Sequence, residues 1–83
     1  MKYYRFKAEI KAPAGKLSRD EKSEIREYIT SVALEAPTAE KAVKALVKRI
    51  SGRLISGENE AAEISLPDYG SACRVKVIAY EED

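Results

Sequence analysis

One stretch leaves the rest of the chain little freedom: Thr38 to Gly52, TAEKAVKALVKRISG. Thr38 can cap the unsatisfied N–H groups of a first helical turn, and Gly52 suits a left-handed residue just past the end. Between them Ala39, Val43, Leu46, Val47 and Ile50 recur at the three- and four-residue spacing of one buried helical face. Lys41, Lys44 and Lys48 fall on the opposite side. Glu40 precedes Lys44 by four positions, the favourable order for an ion pair along a helix. Arg49 and Arg53 place positive charge at the C-terminal end, where the helix dipole favours it. A helix with one apolar stripe must bury it against another layer, so the flanking segments have to supply that layer.

Their patterns fit. Residues 3–12, YYRFKAEIKA, alternate with period two: Tyr4, Phe6, Ala8 and Ile10 face one way, and Tyr3, Arg5, Lys7, Glu9 and Lys11 the other. That is a half-buried strand, closed by a turn at Pro13 and Gly15. Ser18 and Glu21 have the spacing of a capping box, and Ile25, Tyr28, Ile29, Val32 and Ala36 then share a helical face. The spacing predicts a first helix over about 19–35, stopped by Pro37. Val32, Leu34 and Ala36 also alternate as a strand would, and EIKAPAG (9–15) echoes ALEAPTA (33–39), so a strand over 30–36 is the alternative. Arg53 to Ser56, with apolar Leu54 and Ile55, and Ala62 to Leu66 read as a hairpin around Gly57, Glu58, Asn59 and Glu60. Pro67, Asp68 and Gly70 mark the next turn. Cys73 to Tyr80 alternates again: Cys73, Val75, Val77 and Ala79 against Arg74, Lys76, Ile78 and Tyr80. Glu81, Glu82 and Asp83 form a solvated tail.

The expected architecture is α+β in two layers: a mainly antiparallel sheet of three to four strands with two helices on one face. The order is β-α-α-β-β-β, with βαβαββ as the alternative. Tyr4, Phe6, Ile10, Val75 and Val77 then meet Ile25, Val32, Val43, Leu46 and Ile50 in the core. Residues 1–83 form a single small domain, because 83 residues leave no room for a second core.

Composition excludes several classes. With no histidine, Ser-His-Asp triads, Cys–His dyads and His-containing zinc sites cannot be built. A single cysteine, Cys73, excludes a disulfide framework and cysteine-rich metal centres, and fits a reducing compartment. The four glycines are scattered, so no phosphate-cradling loop can be written. Lys2 and Arg5 precede no uninterrupted apolar run, and no segment approaches the length of a membrane helix. The expectation is a cytoplasmic protein with no cofactor, no metal and no membrane partner. Net charge is only +1, though 1–17 and 38–56 are basic while 18–37 and 57–72 are acidic.

Individual residues have plain readings beside reactive ones. Cys73 belongs to the apolar set of its strand, so an inert buried thiol is favoured over one activated by Arg74, which faces the other side. Glu58, Glu60 and Glu63 lack the pattern of a calcium loop and read as a solvated hairpin tip. Asp20, Glu24 and Glu27 lie on an outer helical face, without the burial that tunes a general acid or base.

One constellation carries a functional expectation. If the first and last strands share a sheet, Tyr3, Arg5, Lys7, Lys11, Arg74, Lys76 and Tyr80 lie together on its open face. Cations for phosphates beside tyrosines for stacking are what sheet-surface binders of single-stranded RNA or DNA use. Lys41, Lys44 and Lys48 form a second basic surface, whose plain reading is the solvated side of a helix. Glu9 in the middle of the sheet face counts against nucleic acid. The first expectation is therefore a non-catalytic protein-interaction or regulatory module, no enzyme, whose unknown protein partner includes a second copy of the chain paired along a strand edge. The alternative is nucleic-acid binding through the basic, tyrosine-bearing face.

Overall fold

The computed structural model of the protein describes residues 1–11, 17–58, 60–70 and 73–82. Along the chain the described elements are β1 (Lys2–Ile10), α1 (Arg19–Ser31), β2 (Leu34–Ala36), α2 (Ala39–Arg49), β3 (Arg53–Glu58), β4 (Ala61–Ser65) and β5 (Arg74–Glu81), with a 3₁₀ turn over Pro67–Tyr69. The strands form one antiparallel five-stranded sheet in the order β2-β1-β5-β4-β3. The α+β class and its two helices stand as expected. The order β-α-α-β-β-β does not, since a short strand separates the helices as in the alternative reading, and the sheet has five strands where three to four were expected. The turn expected at Pro13 and Gly15, Asn59 of the hairpin tip, Ala12 and Asp83 lie outside the described residues.

The core follows from the alternation. Tyr4, Phe6, Ile64, Val75, Val77 and Ala79 project from one face of the sheet and are buried against Ile25, Ile29, Val43 and Leu46 of the helices. Ile10, Val47 and Ile50 are partly buried at its margin, and Ala42 and Leu17, absent from the sequence reading, are inside it. No side-chain polar atom among the described residues is buried without a partner.

Helix boundaries are set by local chemistry. The Ser18 hydroxyl accepts from the Glu21 N–H at 3.1 Å, and the Glu21 carboxylate accepts from the Ser18 N–H at 3.1 Å, closing the capping box. α1 ends at Ser31, four residues short of the sequence expectation. In its last turn Thr30 Oγ1 and Ser31 Oγ donate to the carbonyls of Arg26 and Tyr28 at 2.8 and 2.7 Å, competing with the helical ladder. Val32 is already extended, and Leu34–Ala36 instead pair with Tyr4–Lys2. This placement buries Val32 and Ala36. Tyr28 also departs from expectation. Its ring is exposed on the flank of α1, and its hydroxyl donates to the Arg49 carbonyl at 3.2 Å, lacing the first helix to the end of the second.

In α2 the Thr38 hydroxyl accepts from the Lys41 N–H at 3.2 Å, as its sequence requires. At the other end the Gly52 N–H reaches the Val47 carbonyl (2.9 Å) and the Ser51 N–H the Lys48 carbonyl (3.3 Å), a Schellman closure. The left-handed residue is Ser51, with φ of 54°, and not Gly52. Gly52 is required for a different reason. A Cβ there would lie 2.7 Å from Ile64 Cγ2 and 3.0 Å from the Ser65 carbonyl, so only glycine lets the chain cross so close to β4. β3 then runs through Gly57 and Glu58, turn-formers by propensity and expected at the hairpin tip, because Gly57 pairs with Ala62 and Glu58 with Ala61.

Candidate functional site

The face of the sheet turned away from the helices is open. Period two decides which residues occupy it, and strand order decides which of them are neighbours. Along β1 it carries Tyr3, Arg5, Lys7 and Glu9, and along β5 Arg74, Lys76, Ile78 and Tyr80. Arg5 stands opposite Tyr80, Lys7 opposite Ile78, and Glu9 opposite Lys76. The Lys11 N–H donates to the Arg74 carbonyl at 2.7 Å, extending the row past the end of β1. Thus Tyr3, Arg5, Lys7, Lys11, Arg74, Lys76 and Tyr80 do share one surface. Lys41, Lys44 and Lys48 are exposed on the outer side of α2, across the two-layer body from that surface. No single flat ligand can span both sets.

Within the open face an apolar stripe runs diagonally through Tyr3, Tyr80 and Ile78, which are 56, 42 and 38% exposed. The Lys7 ammonium lies over the Tyr80 ring, 5.6 Å from its centre, within cation–π reach. Glu35 of β2 sits opposite Tyr3. Hydrogen bonding to that carboxylate, reinforced by its charge, raises the Tyr3 phenol above its ordinary pKa.

Carboxylates interrupt the cations more than the sequence shows. Lys76 is flanked on both sides, by Glu9 on β1 and Glu63 on β4. Lys11 pairs with Glu9 at 3.1 Å and Arg74 with Glu63 at 3.7 Å. On the β3–β4–β5 side the face dips into a hollow of about 550 Å³, lined by Lys11, Ser56, Glu58, Ala61, Glu63, Arg74 and Lys76. Its lining is charged with both signs and wide open. Glu63 and its position beside Lys76 were legible only as a hairpin carboxylate, because the pairing of β4 with β5 is not written in either segment alone.

The other titratable candidates are structural. Cys73 is buried, and burial, followed by the charge of Glu21, pushes its thiol pKa up, away from the thiolate a nucleophile needs. Among the described residues no group of three or more histidine, cysteine, aspartate or glutamate side chains could hold a metal ion. Asp20, Glu24 and Glu27 lie exposed on α1. Among the described residues no helix is long and apolar enough to cross a membrane.

The chain matches no family model, no curated protein and no solved structure.

Proposed function

We propose that the protein is a non-catalytic interaction module that binds a protein partner on the open face of its sheet. The observation that supports this reading is the exposed stripe of Tyr3, Tyr80 and Ile78 set among Arg5 and Lys7. Tyrosine and arginine around a small apolar centre are the residue types that carry binding energy at protein interfaces. Alternating charges at the rim suit a folded partner of complementary pattern better than a uniform polyanion. The soluble, cytoplasmic setting expected from the sequence belongs to the same proposal.

A photo-crosslinking amino acid at Ile78, in an extract of the source cell, tests it. The expected result is a discrete protein adduct, lost when Tyr3 and Tyr80 are both replaced by serine. The same probe at Lys44 on α2 is expected to give none. Labelling that is diffuse, or equal at both positions, would remove the reading.

Single-stranded nucleic acid is the second reading, favoured by exposed Tyr80 with the Lys7 cation over its ring and Arg5 alongside. It requires RNA or DNA binding that weakens steeply with salt, and a shallower salt dependence when Lys7 and Lys76 are reversed to glutamate. Absence of binding at low salt excludes it.

A further inference from the structure

β3 ends the sheet on one side, and each of its residues is exposed. Such an edge presents unpaired N–H and C=O groups that template another strand. The opposite edge, β2, is only three residues long and runs straight into Pro37, which has no N–H to offer.

The sequence of β3 indicates which strand fits. Against β4, Leu54 lies opposite Ile64 and Gly57 opposite Ala62, both core residues, so Leu54 and Gly57 are directed to the helix side. Arg53 opposite Ser65 and Glu58 opposite Ala61 are directed to the open face. In a regular strand, positions an odd number of residues apart point to opposite faces. Here a register shift between Leu54 and Ser56 adds one residue, so Arg53 and Glu58 share one face and Leu54 and Gly57 the other.

A two-fold antiparallel pairing of identical strands demands that each residue and its opposite number share a face. In β3 that condition sets Arg53 opposite Glu58 of the second copy, Leu54 opposite Gly57, and Ile55 opposite Ser56. A shift of one residue either way sets a core-directed position against an open-face one. The matched register also brings opposite charges together twice, once on each side of the axis.

We propose that the protein forms a two-fold homodimer by pairing β3 with β3, giving one continuous sheet with an Arg53–Glu58 ion pair at each end of the seam. The two open faces then lie on the same side. The hollow beside β3, with Ser56 and Glu58 in its wall, gains Arg53 of the second copy. This inference stands on the β3 edge and is independent of what binds the Tyr3–Tyr80–Ile78 stripe.

Sedimentation velocity from micromolar to millimolar protein tests it. The wild type is expected to show a reversible dimer. Arg53→Glu and Glu58→Arg, each creating two like-charge contacts, weaken it by about tenfold or more, and the double reversal restores it. Both side chains are exposed, and circular dichroism verifies that each variant is folded. A wild type that stays monomeric throughout overturns the proposal. So does a dimer indifferent to the single reversals, or a folded double variant that fails to recover.

Discussion

Val77 and Ile78 are neighbours on β5, similar in size and chemistry, and they live under opposite constraints. Val77 is fully buried against the helices, while Ile78 stands on the open face at 38% exposure. The same contrast separates Phe6 from Lys7 and Val75 from Lys76. On the inner side each side chain is fixed by close packing on all sides, so identity and volume matter. On the outer side packing constrains identity less, and an aliphatic or aromatic residue there still has surface to offer a partner. On the proposed reading, the two faces divide stability from recognition along a single strand.

The sharpest way to break that division is Phe6→Ala on the inner face. Truncating this buried ring is expected to cost about 3–5 kcal/mol, enough to leave a domain of this size largely unfolded, as read by urea denaturation. Next comes Gly52→Ala. The added methyl would press on Ile64 and the Ser65 carbonyl, and the expected loss is about 1–3 kcal/mol, with β3 and α2 losing amide protection first. A neutral outcome would mean that the crossing over β4 is looser than 2.7 Å implies. On the outer face Tyr80→Ser is expected to change stability by no more than about 1 kcal/mol while weakening the adduct formed from position 78. A large loss of stability there would erase the distinction between the faces.

The smallest effect vanishes at neutral pH. Burial raises the Cys73 thiol, and likewise the Tyr69 phenol, so the folded state favours their protonated forms. The stability these groups contribute is fully present below their ordinary values, about 9 for the thiol, and is lost as pH rises through the folded values. Urea midpoints are expected to fall between pH 8 and 11, and Cys73→Ala to flatten the first part of that fall. Equal slopes in the two proteins would show that the thiol is not protected.

Much of the inner face was legible because its rules are local. Period two in β1 and β5, the capping box at Ser18 and the stripe of α2 each reside within about a dozen consecutive residues. What escaped was decided at a distance. Leu34–Ala36 become a strand because Tyr4–Lys2 lie alongside to receive them, although the alternation of Val32, Leu34 and Ala36 was a visible hint. Gly57 and Glu58, turn-formers by propensity, are held extended by Ala62 and Ala61. The candidate surface was legible as a set of side chains on one face, but not as neighbours. That Lys76 sits between Glu9 and Glu63 follows from strand order, and this lowers the case for a polyanion.

The central pairing has a consequence for how the molecule comes into being. β5 joins β1 to β4, and its register with β1 links positions about seventy residues apart, Tyr4 with Glu81 and Ile10 with Val75. Without residues 74–81 the sheet is two separate ribbons, β2–β1 and β4–β3, with no strand in common. Closure of so long a loop comes before its reward, which slows folding. A ribosome that has not yet released Arg74–Glu81 holds a chain whose inner face is still wet. For that interval the protein depends on its helices, and on whatever shields an unfinished sheet, to stay out of trouble.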